Sequence, residues 1–199
     1  MKKFNISLTL VLVALMVVGF GVATYAAAPA ANELVIADFD TGDKPNNIGG
    51  DFGGWDKDPN DESQGTQMSF DTDDSQGDAS GYSIRLDYDV DSPNPAYNGF
   101  WMKLENLDAT PCKNLVMYVK GDPELGFTSQ FKVELKTKTE TGSYLVTGVT
   151  DTWQKVTIPL NKFAGLTSKK DLTELVIVFD DTNSTEKMGA INIDNISFE

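Results

Sequence analysis

The chain contains no histidine, a single cysteine (Cys112) and a single arginine (Arg85). Without histidine there can be no Ser-His-Asp triad, no cysteine–histidine dyad and no histidine-ligated zinc. One cysteine cannot form an internal disulfide, so the loops must be held by packing, by backbone hydrogen bonds or by a bound ion. Basic residues are scarce, 16 against 30 acidic ones, for a formal net charge of −14. That balance makes nucleic acid and anionic membrane surfaces poor partners and leaves neutral ligands and divalent cations open. Nucleotide-binding loops are missing, as is the compact Glu-x-Asp-x-x-Glu strand of jelly-roll hydrolases. Paired-carboxylate glycoside hydrolysis stays open, and a hydrolase or lyase is one of three readings, tested by reducing-sugar release that vanishes when one carboxylate is neutralised.

Only one long apolar run is present, at the start: "MKKFNISLTLVLVALMVVGFGVATYAAAPAA". Two lysines, an apolar stretch and then small residues are the order of a secretory signal, and residues 1–28 are assigned to it. The competing reading is an uncleaved anchor, since the run approaches the length that spans a bilayer. Export to the periplasm or the medium is expected, with no membrane association once the signal is removed. Residues 29–199 then form one domain.

Amphipathic helical periodicity is missing beyond the signal, although Leu160 to Gly165 allows one helical turn. In its place, about ten short segments rich in Val, Ile, Phe, Tyr and Thr alternate with period two between turn residues, which predicts an all-β, two-sheet antiparallel sandwich. In "YSIRLDYDV" the residues Tyr82, Ile84, Leu86, Tyr88 and Val90 form one face; Ser83, Arg85, Asp87 and Asp89 form the other. In the next strand Phe100, Met102 and Leu104 continue the core, so Trp101 and Lys103 point outward. If the two strands are neighbours, Trp101, Arg85 and Asp87 share one sheet surface, and an aromatic flanked by hydrogen-bonding groups suits a sugar ring. The plainer alternative places Trp101 under a loop and pairs Arg85 with its acidic neighbours.

The closing "AINIDNISFE" changes phase between Ile191, Ile193 and Ile196, Phe198. A β-bulge at Asp194-Asn195 would seat both apolar pairs and re-aim the Asp194 carboxylate. Chain ends commonly meet in such sandwiches, so Asp38 or Asp40 is expected near Asp194, and clustered carboxylates call for a cation of the calcium type. The glycine-rich "NNIGGDFGGW" reads as a loop carrying Trp55, which either borders a cleft with Tyr97 or plugs the open end of the core; the plug is preferred, because Trp55 and Phe52 are the loop's apolar anchors. Trp153 is read as structural. The acidic runs Asp56 to Glu62 and Asp71 to Asp78 fail the EF-hand spacing and are read as solvated loops.

"ELVIADFDTGDKPNNIGGDFGGW", "TDTWQKVTIPLNKF" and "GAINIDNISFE" resemble the galactose-binding-like β-jelly rolls, in particular the family 11 carbohydrate-binding modules and the complex I intermediate-associated protein domain. The resemblance runs from about Glu33 to Glu199. It implies a structural calcium near the paired termini, a concave sheet face that binds a glycan, and no catalysis. Asp194 matches the closing-strand calcium ligand of such modules, and Asp40 matches an opening-strand one. A neutral β-glucan-type polysaccharide bound by Trp101, Arg85, Asp87, Tyr97 and Trp55 is the expected partner. The alternative is an ion-stabilised structural or adhesive protein of the cell envelope with a protein partner.

Overall fold

The structure is a computed structural model, described here for residues 33–77 and 81–199. The expected signal segment lies outside the described residues. Two antiparallel sheets pack face to face. The first runs β3 (Gly65–Asp71), β4 (Ser83–Asp89), β11 (Met188–Phe198), β6 (Asn114–Gly121), β9 (Gln154–Pro159), with β1 (Leu34–Ala37) also paired to β11. The second runs β2 (Phe52–Asp56), β5 (Tyr97–Leu107), β10 (Leu172–Asp180), β7 (Gln130–Lys136), β8 (Thr141–Thr147).

The period-two pattern does what it must where one face is buried. Ile84, Leu86 and Tyr88 from β4 and Phe100, Met102 and Leu104 from β5 are all in the core. Tyr88 stacks on Phe179 at 4.2 Å between centroids, joining the two sheets. The phase change in β11 is a bulge: the pairing with β6 shifts between Asp194 and Ser197, Asn195 takes a positive φ of 48°, and Ile191, Ile193, Ile196 and Phe198 are all buried. β1 pairs with β11, Leu34 opposite Phe198, so the two ends of the domain lie together. The expected helical turn is a short 3-10 turn at Leu160–Lys162.

Two expectations are corrected. The stretch read as one long loop contains a strand, β2, because its backbone pairs with β5 from Phe52↔Met102 to Asp56↔Asn98, a tertiary gain that outweighs the poor strand propensity of Gly53 and Gly54. The strands carrying Arg85 and Trp101 are not neighbours, since the connection between them crosses from the first sheet to the second.

Candidate functional site

The two outer faces of the sandwich differ. The outer face of the first sheet is strapped by the segment after β3. Within it, the Asp74 carboxylate pairs with Lys120 and accepts the Trp153 indole N–H at 2.8 Å, and the Asp74 carbonyl accepts the Ser83 hydroxyl. Gln76 donates its backbone N–H to Asp194 at 2.8 Å and accepts from the Asn195 side chain. From Asp71 to Gly77 the run is thus a docked strap in place of the expected solvated loop, Asp78 lies outside the described residues, and Ser83 is fully buried beneath the strap. The structural reading of Trp153 agrees with its role as an anchor of that strap.

The outer face of the second sheet carries a groove of about 860 Å³. Strand register builds it in rows. One row runs Gly53, Trp101, Val176, Glu134 from β2 to β7, and the next runs Trp55, Gly99, Val178, Lys132. Each tryptophan thus stands opposite a glycine. The Trp101 ring lies across Gly53, with Cζ2 and Nε1 3.6 Å from where a Cβ there would sit. Gly99 has φ of 153°, and a Cβ on it would come within 2.0 Å of the Ile177 carbonyl, so only glycine permits this close β5–β10 pairing. Trp55 and Tyr97 meet edge-on-tilt at 5.9 Å, Tyr97 being 43 % exposed. Lys57 lies 5.0 Å from the Tyr97 ring, and Lys103 lies 5.5 Å from that of Trp101. The buried Trp55 indole N–H has no acceptor among the described residues.

Ion pairs border this apolar floor. Lys103 and Lys136 both reach Glu174, at 2.6 and 3.3 Å, and Lys132 reaches Asp180 at 3.6 Å. Burial alone would raise the Glu174 carboxyl, but the Lys103 hydrogen bond and the charges of both lysines outweigh it and hold the group below the usual range. Asp180 is likewise held low against its own burial, by the Asn183 side chain and the backbone N–H groups of Asn183 and Thr182.

Of the residues picked from sequence, Trp101, Trp55 and Tyr97 come together on this face. Trp55 is therefore not a plug: β2 turns it outward, while Phe52, at the opposite phase, fills the core. Arg85 and Asp87 do not join them. They stand on the other sheet, where Arg85 bonds Asp87 at 3.1 Å and reaches across β11 to Asp122 at 2.7 Å, a staple between strands. The plainer reading of Arg85 is the one its geometry fits. Sequence reasoning missed Lys132, Glu134, Lys136, Glu174, Val176 and Val178. The alternation of "QFKVELK" carried the signal for the first three, but the unbroken apolar run of "LVIVF" hid the outward phase of Val176 and Val178.

At the bulge, Asp194 is 1 % exposed. Burial pushes its carboxyl up to about 7; the N–H groups of Gln76 and Asn195 pull it back, while the charges of Asp40 and Asp38 raise it further. Among the described residues no three acidic, histidine or cysteine side chains converge as a metal cage. Any cation here would need backbone carbonyls or Asn oxygens besides Asp194 and its two acidic neighbours.

Comparison with known proteins agrees with this architecture. The family profile described as carbohydrate binding domain 30 matches residues 46–199. Among solved structures, the chain is similar to the family 11 carbohydrate-binding module from Clostridium thermocellum in complex with a β-1,3-1,4-mixed-linked tetrasaccharide (15 % identity over 83 % of this chain and 94 % of that one, TM-score 0.61). It is also similar to the family 11 module of a cellulosomal cellulase of that organism (16 %, 85 % and 95 %, TM-score 0.61) and to a family 30 carbohydrate-binding module (15 %, 83 % and 86 %, TM-score 0.56). No curated protein sequence matches the chain significantly. The structural likenesses establish the jelly-roll fold, and the profile establishes the family. Over residues 46–199 this chain belongs to the family of carbohydrate-binding domain 30.

Proposed function

We propose that the protein is an exported module that binds a neutral, β-linked glucan on the outer face of its second sheet. The observation that carries this reading is the row structure of the groove, in which Trp101, Val176 and Val178 form an apolar floor with Trp55 and Tyr97 at one end. The C–H face of a glucose ring is apolar and packs on such a floor, while its equatorial hydroxyls reach donors and acceptors at the borders. The mixed-linked tetrasaccharide held by the family 11 module is a ligand of this chemistry. Groove lysines already matched by carboxylates, on a chain of net charge −14, favour a neutral polymer over a polyanion. Affinity electrophoresis against mixed-linked β-glucan, xylan and a polyuronate tests the reading. Retardation by the glucan is expected, and calcium-independent binding to the polyuronate alone overturns it. Failure to bind any glycan, with co-purification of envelope protein, would select the adhesive alternative.

Export rests on residues 1–28, and N-terminal sequencing of the mature protein tests it. A structural calcium ion is part of the same proposal. Asp194 would anchor it together with Asp38 or Asp40, with backbone carbonyl or Asn oxygens completing the shell because no three carboxylates converge there among the described residues, and the ion's charge would compensate a buried carboxylate.

A further inference from the structure

The charged border of the groove is built in register across three strands. Lys103 on β5, Glu174 on β10 and Lys136 on β7 stand directly opposite one another, one row from Trp101–Val176–Glu134. Among the described residues, Glu174 is the one carboxylate within ion-pair reach of two lysines, and all three side chains reach the groove surface. Lys136 also lies 3.9 Å from Glu134. Both ammonium groups therefore point at protein carboxylate, and neither is left unmatched for an anion on the ligand. A neutral sugar still finds N–H donors and carboxylate acceptors there, because a hydroxyl can do both.

We propose that the Lys103–Glu174–Lys136 row is the charge-selectivity element of the groove, admitting neutral glucan and rejecting the same chain when it bears uronate carboxylates. This rests on the reading of the face as the glycan site. Cancelling the Glu174 charge leaves two lysines facing the ligand with only Glu134 as counter-charge. One unit charge about 5 Å from another in a partly wet groove changes affinity on the order of tenfold.

The test compares mixed-linked β-glucan oligosaccharide with its C6-oxidised, uronate-bearing form, by calorimetry at low and high salt. Wild type is expected to prefer the neutral form by tenfold or more at low salt. Glu174→Gln should close that gap by about tenfold, mainly by gaining affinity for the oxidised chain, and high salt should weaken the gain. Glu199→Gln removes the same charge at the Lys155 ion pair, outside the groove, and should leave the ratio unchanged. A thermal melt of each variant reports folding. Should Glu174→Gln not fold, Lys103→Met with Lys136→Met takes its place and should widen the gap. A folded Glu174→Gln that keeps the wild-type ratio overturns the inference while leaving the glycan face intact, and an equal shift in Glu199→Gln overturns it in favour of net charge. Wild type that binds no neutral glucan removes the glycan face and this inference with it.

Discussion

Replacing Trp101 with alanine separates a binding platform from a structural ring. The side chain is half-buried on the outer face, lying across Gly53 and beside Val176, with Lys103 and Lys44 at 5.5 and 6.0 Å from its ring. A tryptophan covers about 200 Å², of which roughly half is already removed from water here, about 2.5 kcal/mol at 25 cal/mol per Å². Compactness of the unfolded chain trims this to about 2 kcal/mol, below the roughly 3–5 kcal/mol for truncating a fully buried ring. For a domain of this size that is a melting shift of about 4–8 °C, with folding retained. The binding cost should be larger in proportion, because a central aromatic anchor contributes about 2 kcal/mol or more, some 30-fold in affinity. Paired thermal melts and calorimetry on mixed-linked glucan read both quantities, and Trp101→Phe should recover much of the binding. If the alanine variant unfolds, Trp101 is a structural ring. If it melts within this window and binds as wild type does, the face is not the glycan site.

Further expectations follow from other parts of the structure. Because the Asp194 carboxyl is raised in the fold above its unfolded value, the native state holds its proton more tightly, so this group's contribution to stability is fully present below about pH 4 and is lost as pH rises through 7, on the order of 4 kcal/mol. Melts in chelator from pH 4 to 8 should show that slope and Asp194→Asn should flatten it; a slope unchanged in the variant assigns it elsewhere. Calcium should raise the melting temperature at pH 7.5 relative to chelator, since a ligand bound only to the native state stabilises it by mass action, and equal melting in both disproves the ion. Gly99→Ala should cost about 3 kcal/mol or more, because the new methyl meets the Ile177 carbonyl; a melt within 2 °C of wild type would show that β5 and β10 can separate there. Asp61, which accepts from Ser63, Gln64 and Asn94, ties down the turn after β2, and Asp61→Ala should speed amide exchange at Ser63 and Gln64.

Facing was legible in the sequence, and neighbourhood was not. Alternation in Ile84 to Val90 and Phe100 to Leu104 assigns inward and outward sides correctly because burial of one face fixes register, whereas Tyr82 stays outside the core and Ser83 is buried under the strap. Nothing local says that the residues between Val90 and Tyr97 carry the chain into the other sheet, so the condition that would put Trp101 beside Arg85 and Asp87, adjacent strands, is not met, and the core lies between them. The bulge at Asp194 could be read because two apolar pairs of opposite phase demanded it. Strand β2 could not, since "FGGWD" has two glycines and owes its conformation to β5. The strap over the first sheet is equally hidden, because most of its hydrogen bonds join residues more than 40 apart in sequence, such as Asp74 to Lys120 and Gln76 to Asp194.

The pairing of β1 with β11 has a mechanical consequence. Glu33 and Glu199 both leave from the first sheet, and the groove is on the second. Both described ends therefore belong to the sheet opposite the groove, so a tether at either end would attach to the sheet that does not carry the proposed glycan face. Tension from an N-terminal tether is then carried first by the β1–β11 ladder and then across the packed core to β10, whereas a C-terminal tether pulls on β11 directly. On that N-terminal path the shortest ladder runs from Leu34 to Ala37, so force there should peel the first strand before it disturbs the floor of the groove.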